Sequence, residues 1–253
     1  MTINNPTPSQ EPQLWALWRE AFGDSEEFLN QFIATAYRSD RCLCAVEDGK
    51  VVSAAYWFHC THDGQPVAYL YAVATAQSHR GRGIAHSLMQ ALHAHLEKLG
   101  YQGAILVPGD DLLFSLYETM GYRTCSSVRE FVCAGAAEEV QLRRLEPAEY
   151  AILRREMLPQ GSVLQEESNL DFLAAQAVFY AGPNFLLAAA KQGTTLVGIE
   201  LLGDYLAAPA IVQALGFAHG SFRTPGSERP FAMYRPLGAS TLPAPAYFGF
   251  AFD

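Results

Sequence analysis

The sequence of 253 residues predicts a mixed α/β protein made of two related units, the second smaller than the first. Helical and strand-like patterns alternate through residues 1–135 in the order ααβββαβαβ, and parts of that order recur in the second half. Half of the residues are hydrophobic and 17% are charged. That is enough apolar material for a packed core, and it excludes a disordered or fibrous chain.

The charge balance argues against binding to nucleic acid or to an anionic membrane. The chain has 17 Lys and Arg against 26 Asp and Glu, and the basic residues form no stripe. The N-terminal residues do not resemble a secretory signal, and no apolar run approaches the roughly 20 residues of a membrane-spanning helix. The five cysteines are odd in number and lack CxxC spacing, so we expect reduced thiols and a cytoplasmic protein.

The elements of the first half follow from apolar periodicity and from glycine-containing turns. Apolar residues recur three and four apart in four segments, which predicts helices. Five apolar runs predict strands, and Asp48-Gly49 between the first two is a strong hairpin signal. Gly100 and Gly121 end the last two helices. The predicted helices are Leu14–Phe22, Glu26–Tyr37, Ile84–Leu99 and Leu112–Met120, and the predicted strands are Cys42–Glu47, Val51–His59, Val67–Thr75, Gly103–Val107 and Tyr122–Ala134.

The second half repeats the first with a piece missing. Residues 27–29 of the second helix are echoed by residues 171–173, and the hairpin that follows is echoed in the same register. Residues 120–122 then match residues 215–217 at a shorter offset. This preserved order favours a duplication followed by loss of the third strand, the long helix and the glycine loop between them. We therefore expect two domains, at residues 1–135 and 136–253.

Residues 75–85 place a strand end, a glycine-bearing loop and a helix N-terminus in immediate succession. The first amide groups of a helix are unpaired and its dipole is positive there, so an anion is stabilised at such a junction. Gly81 and Gly83 would let the backbone approach a phosphate closely, and Arg80 and Arg82 add positive charge. A basic surface turn is the alternative, because an isolated Gly-x-Gly is common. The loop matches neither a Walker loop nor a dinucleotide fingerprint.

Two short motifs lie at the two later helices of the first domain. Arg80-x-x-Gly83-x-Ala85 opens the long helix, and Tyr117 stands four residues before Gly121, which an aromatic residue follows. In their spacing and order they resemble the GNAT superfamily of acyl-CoA-dependent N-acyltransferases, over most of the first domain. The resemblance implies a mixed, largely antiparallel sheet flanked by helices. The second domain would then be a truncated GNAT-like unit that lacks the phosphate loop.

The resemblance also implies an N-acetyltransferase that transfers the acetyl group of acetyl-CoA to a primary amine by direct attack. Tyr117 would protonate the departing thiolate as general acid. The amides of Arg80 to His86 would hold the CoA pyrophosphate, and the exposed backbone of Val73–Thr75 would pair with the pantetheine arm. Asp110 stands where many relatives carry an Asn that contacts the cofactor. The implied cofactor-binding residues are Val73, Ala74, Thr75, Arg80, Gly81, Arg82, Gly83, Ile84, Ala85, His86 and Asp110.

The partner of acetyl-CoA is expected to be a small amine, with amino acids, polyamines, aminoglycosides and protein N-termini all open, as is the length of the acyl group. His59 at a strand end is one candidate for the general base. The run from His59 to His62 lacks a second pair of ligands, so we interpret it as a hairpin end and predict no metal. A homodimer is left open. The alternative to an enzyme is a catalytically silent acyl-CoA-binding or scaffold protein.

The C-terminal segment carries four aromatic residues between Tyr247 and Phe252. Leaving that much apolar surface in water is costly, so we expect the segment to dock on the protein, as an edge strand. A sharper hypothesis, suggested by some multi-domain relatives, runs this segment into the acceptor cleft. The side-chain or terminal carboxylate of Asp253 would then be the catalytic base.

Overall fold

A computed structural model describes residues 1–252, which form two compact units. The first comprises Met1–Arg123 and Met233–Ala244, and the second comprises Thr124–Ala232 and the segment that begins at Pro245. The units differ from the domains predicted at 1–135 and 136–253 in two places: residues 124–135 lie in the second unit, and residues 233–244 return to the first. None of the helices in the described part of the chain is long and apolar enough to cross a membrane.

Eight of the nine elements predicted from periodicity lie in the first unit, in the predicted order, and the ninth, the last strand, lies in the second unit except for its first residue. A short N-terminal strand, which the sequence did not predict, precedes them. The elements are β1 (Thr2–Asn4), α1 (Glu11–Phe22), α2 (Glu26–Thr35), β2 (Cys42–Glu47), β3 (Lys50–His62), β4 (Gln65–Thr75), α3 (Ile84–Lys98), β5 (Gly103–Leu106), α4 (Asp111–Thr119) and β6 (Arg123–Ala134).

Local capping explains several of these bounds. Gly23 ends α1 in the left-handed conformation, and the Ser25 hydroxyl accepts a hydrogen bond from the Phe28 amide to begin α2. Asp48 and Gly49 both have positive φ angles, of 50° and 77°, as the tight turn between β2 and β3 requires. The predicted hairpin is therefore confirmed.

The sheet of the first unit is antiparallel except where β4 and β5 run parallel. Its last member is the segment Met233–Pro236 of a late strand, β12 (Arg229–Pro236), which pairs with β5. One hydrophobic core fills the face of the sheet covered by α3 and α4. It includes Leu43, Trp57, Leu70, Leu88, Leu92, Leu96, Leu106, Tyr117, Met120, Tyr122 and Met233.

The parallel pair β4–β5 opens toward the end of β4. Its pairing covers Val67–Tyr69 against Gly103–Ile105, and no further pairs join the two strands within the described residues. Three residues beyond the last pair, Ala72 has a φ of 50°, and the register between β3 and β4 shifts at the same level. This bulge turns the last residues of β4 away from β5, which leaves a gap between two neighbouring strands.

The strands of the second unit form a paired series in the order β7-β8-β9-β10-β11-β6. All of its neighbours are antiparallel except β10 and β11. A helix pair and a hairpin lead to a short helix and a further strand, in the order of the internal repeat, but the strands β7 and β8 were not predicted. The elements are β7 (Arg143–Leu145), α5 (Pro147–Met157), α6 (Ser168–Ala174), β8 (Val178–Ala181), β9 (Phe185–Gln192), β10 (Thr195–Gly203), α7 (Ala208–Ala214) and β11 (His219–Pro225).

The C-terminal segment docks within the second unit, as its apolar composition predicts. Phe248 and Phe250 are fully buried there. The docking mode is a single bridge at Tyr247 rather than the expected edge strand. The reason is that the Gln165 side chain replaces the neighbouring strand: its amide accepts from the Phe250 N–H at 3.0 Å and donates to the Phe250 carbonyl at 2.9 Å.

A buried ion pair anchors this segment. The guanidinium of Arg154 donates to both carboxylate oxygens of Glu200, at 2.6 and 3.0 Å, and both side chains are almost fully buried. The Tyr247 hydroxyl donates to the same carboxylate at 3.0 Å, and the guanidinium stacks on the Phe250 ring. A Cβ at Gly249 would overlap a Glu200 oxygen, so only glycine fits there.

Candidate active site

The loop between β4 and α3 presents a bare helix N-terminus. Gly83 is the N-cap of α3, has a φ of 74°, and no side chain caps the helix. Gly81 also has a positive φ, of 73°. A Cβ at either glycine would meet no other atom within 4 Å, so the requirement for glycine here is conformational. The first amides of α3 are therefore available to an anion.

The basic side chains of this loop contact other residues of the first unit. The Arg80 side chain donates to the Thr75 carbonyl at 3.1 Å, which closes the loop on the strand before it. Arg82 donates to one oxygen of Glu47 at 3.0 Å, and His79 lies 3.4 Å from the other. Glu47 thus bridges the two sides of Gly81. In this arrangement the cations shape the loop, and the backbone amides form its exposed surface.

The end of β4 is fixed from the opposite strand. Ser53 on β3 is fully buried, and its hydroxyl donates to the Ala74 carbonyl at 2.6 Å. The same hydroxyl lies 2.9 Å from the Thr75 hydroxyl. Because these contacts fall just after the bulge, they hold Val73–Thr75 in their displaced position beside the gap.

Tyr117 lies on α4 with its ring in the core that also packs Val73. Its side chain is 8% exposed, and its hydroxyl makes no hydrogen bond to any described residue. Burial, with a contribution from the Asp110 charge, raises the pKa of Tyr117 to about 12. The phenol is therefore protonated at neutral pH and has a proton to donate.

Asp110 is the N-cap of α4. Its carboxylate accepts a hydrogen bond from the Leu113 amide at 3.0 Å, which stabilises the first turn of the helix that carries Tyr117. This capping contact gives Asp110 a local structural role. Its contact with a cofactor, implied by the resemblance, stays a prediction.

Some histidines near the site have a hydrogen-bond partner within the protein, and others are exposed to solvent. His59 lies 3.2 Å from the Tyr101 hydroxyl, so the candidate base already has a partner. His93 is 4% exposed and lies 2.7 Å from the hydroxyl of Tyr122. His86, in the first turn of α3, is exposed beside the loop.

Burial lowers the pKa of His93 to about 4, with the nearby charge of Arg235 adding to the effect. An unfolded histidine titrates near 6.5. Between pH 6.5 and 4 the unfolded chain therefore binds the extra proton, and stability falls as the pH is lowered through this window. At about 1.4 kcal/mol per pKa unit, the loss attributable to His93 over this whole window is roughly 3–4 kcal/mol.

Denaturant unfolding at pH 7.0 and pH 4.5 checks this expectation. The His93→Gln variant should lose less stability between the two pH values than the wild type does. An equal loss in both proteins would contradict the assignment of His93 as a buried neutral group.

Asp253, the predicted base, lies outside the described residues. The chain is described as far as Phe252, which is buried in the second unit against Phe172, with ring centroids 4.8 Å apart. The sequence did not single out Glu47, which holds the loop, or Ser53, which holds the end of β4. It marked Tyr122 only as the aromatic residue after Gly121.

Comparisons with known proteins bear on the family and the fold. A family model of the acetyltransferase (GNAT) domain matches residues 2–125. No curated protein sequence matches the chain significantly.

Solved structures resemble the chain over nearly its whole length. A GCN5-related N-acetyltransferase from Anabaena variabilis is 14% identical, with a TM-score of 0.71 and coverage of 92% of this chain and 72% of that one. A second, from Kribbella flavida, is 17% identical, with a TM-score of 0.68 and coverage of 93% and 70%. A putative acetyltransferase from Pyrococcus horikoshii is 13% identical, with a TM-score of 0.67 and coverage of 98% and 93%. Identities this low establish a shared fold. The match of residues 2–125 adds the family: this part of the chain is an acetyltransferase domain of the GNAT superfamily.

Proposed function

We propose that the protein is an acetyl-CoA-dependent N-acetyltransferase that acts on a primary amine. The observation that carries the proposal is the combination of a bare helix N-terminus, a gap between parallel strands, and a buried, protonated Tyr117 bordering one core. An acyl-CoA has a pyrophosphate, an extended pantetheine arm and a thioester sulfur. The helix N-terminus suits the first of these groups, the gap between the strands suits the second, and the Tyr117 proton suits the third.

Each part of the site has a role in this proposal. The amides from Arg80 to His86 bind the pyrophosphate at the positive end of α3. The displaced backbone of Val73–Thr75 pairs with the pantetheine arm in the gap beside β5. Ser53 keeps this backbone in place, and Glu47 keeps the loop in its open shape.

The reaction is a direct acyl transfer. The neutral amine nitrogen attacks the thioester carbonyl and forms the new C–N bond, and the C–S bond breaks with its electron pair on sulfur. The Tyr117 hydroxyl gives its proton to that thiolate, while a base takes the proton lost by nitrogen. The products are an N-acetyl amide and free CoA, and the tyrosinate is reprotonated from solvent.

Two assays of the purified protein test the function. Acetyl-CoA should raise the unfolding temperature where acetate does not, because the pyrophosphate supplies much of the binding. Thiol release from acetyl-CoA should accelerate with at least one member of a panel containing an amino acid, spermidine, kanamycin and a short peptide. Stabilisation without thiol release for any amine would favour the alternative, a silent acyl-CoA-binding protein. The absence of both would refute the proposal.

We further propose that a carboxylate of Asp253 is the base. The support is indirect: the aromatic segment before Asp253 is buried in the second unit as far as Phe252. Asp253→Asn and deletion of Asp253 should each lower turnover, the deletion by about 10²–10⁴-fold, while the stabilisation by acetyl-CoA persists. Asp171→Asn, at an exposed position of the second unit, is the control. Unchanged turnover after deletion would return the segment to a purely structural role.

The second unit is proposed to be a truncated relative of the first. Both contain a helix pair, a later hairpin and a short helix in that order, and in the second unit the chain passes from β10 to α7 without a strand or long helix between them. The structural likeness to the Pyrococcus protein, at 98% of this chain, also extends beyond the family match.

We also propose a cytoplasmic location. All five cysteines are free thiols, and Cys42, Cys44 and Cys60 are buried. Burial raises the pKa of Cys44 to about 11 and that of Cys42 well above its ordinary value. Reduced, protonated thiols are typical of proteins in a reducing compartment such as the cytoplasm.

A further inference from the structure

The side chains of Tyr122 and His93 connect the end of α4, the helix that carries Tyr117, to α3, the helix that begins at the phosphate loop. Tyr122 follows Gly121 at the end of α4, and His93 lies on α3, the helix that begins at the phosphate loop. Their side chains meet at 2.7 Å in the centre of the core. A polar pair in such a place costs desolvation and is tolerated because each group satisfies the other.

Tyr122 is also attached to Tyr117 in two ways. Its backbone N–H donates to the Tyr117 carbonyl at 3.1 Å, across the turn that Gly121 makes with a φ of 87°. Its ring meets the Tyr117 ring edge-on, with centroids 5.8 Å apart and planes at 69°. Tyr122 is 0% exposed, so it has no freedom to move without disturbing both contacts.

The Tyr117 hydroxyl has no partner of its own among the described residues, so the direction of the ring depends on packing. The ring that packs edge-on against it is Tyr122, and the hydroxyl of Tyr122 is fixed by His93. The chain of contacts therefore runs from α3, through His93 and Tyr122, to the proposed general acid.

We propose that Tyr122 and His93 are positioning residues that fix the Tyr117 ring relative to the cofactor-binding helix. The inference rests on the proposed function, in which Tyr117 protonates the thiolate. It assigns the pair a purpose beyond packing: proton donation requires the phenol to stand within hydrogen-bond reach of the sulfur, and a displacement of about 1 Å can cost about 10²-fold in rate.

A double-mutant cycle with Tyr117→Phe tests the proposal. Tyr122→Phe keeps the ring and removes the hydroxyl, so we expect kcat to fall about 10–100-fold with the KM for acetyl-CoA unchanged. In the Tyr117→Phe background the same change should have no further effect, because there is no proton left to position. Two independent, multiplying losses would show a general structural role and overturn the proposal.

Two further variants serve as rescue and control. His93→Gln can still hydrogen-bond the Tyr122 hydroxyl and should retain most of kcat, whereas His93→Leu should behave as Tyr122→Phe does. Tyr37→Phe removes a hydroxyl that donates to Glu11 at 3.1 Å elsewhere in the first unit, and should leave kcat unchanged. If Tyr117→Phe turns over at the wild-type rate, the acid role in the proposed function fails. If Tyr117→Phe is impaired and Tyr122→Phe is not, the positioning role alone fails.

A spectroscopic readout needs no acceptor amine. In protein with ¹³C-labelled tyrosine and bound CoA, the Tyr117 ring signal is identified by its loss in Tyr117→Phe. We expect one sharp signal in the wild type and in Tyr37→Phe, and a doubled or broadened signal in Tyr122→Phe. A single sharp Tyr117 signal in Tyr122→Phe would overturn the proposal whatever the kinetics show.

Discussion

Replacing Tyr117 with Phe should lower kcat by about 10²–10⁴-fold, the usual contribution of a general acid, and leave acetyl-CoA binding close to normal. The ring keeps its place in the core, because the variant changes only the hydroxyl, which makes no hydrogen bond to the described residues. The pKa of about 12 makes the phenol a weak acid at rest. The same burial would also raise the pKa of the departing thiol, which favours transfer of the proton to it.

Steady-state kinetics with the fastest amine of the panel measure the loss, and calorimetric titration with acetyl-CoA measures the affinity. A fall in affinity as large as the fall in kcat would place Tyr117 in binding rather than in proton transfer. A wild-type rate would mean that water or another group protonates the thiolate.

Replacing Gly83 with Val should abolish the stabilisation that acetyl-CoA gives. A ligand at 100 times its Kd adds about 2.7 kcal/mol to the free energy of unfolding. A β-branched residue resists the φ of 74° that Gly83 adopts, so the loop and the first amides of α3 would move out of place. The added side chain would also stand between those amides and a phosphate.

Gly100 offers a matched control at the other end of the same helix. It has a φ of 87°, and a Cβ there would likewise meet nothing within 4 Å. Gly100→Val should therefore cost similar intrinsic stability while keeping the shift with acetyl-CoA. If both variants keep the full shift, or if both lose it, the loop from Arg80 to Ala85 is not the phosphate site.

Much of the first unit could be predicted because its signals are local. The strand Cys42–Glu47 has the predicted bounds, and α3 begins at the predicted Ile84. In both places the decisive residues, an Asp-Gly turn and a Gly ahead of an apolar stripe, lie within the element or next to it. The strands β1 and β12 were missed because the first is only three residues long and the second is bounded by prolines and pairs with β5 more than a hundred residues away.

In the candidate site, too, the features with local sequence signals could be predicted and those that depend on distant residues could not. The phosphate loop and Tyr117 carry motifs of fixed spacing, so the sequence alone could identify them. The contacts that shape the site join residues far apart: 35 positions separate Glu47 from Arg82, and 29 separate His93 from Tyr122. No local pattern marks such partners, and they were found only once the fold had brought them together.

A crystal structure of the protein with bound CoA tests the central claim most directly. The account predicts the pyrophosphate on the amides between Arg80 and His86, the pantetheine arm along Val73–Thr75, and the sulfur within hydrogen-bond reach of the Tyr117 hydroxyl. A pyrophosphate bound elsewhere, or a sulfur far from Tyr117, would contradict it.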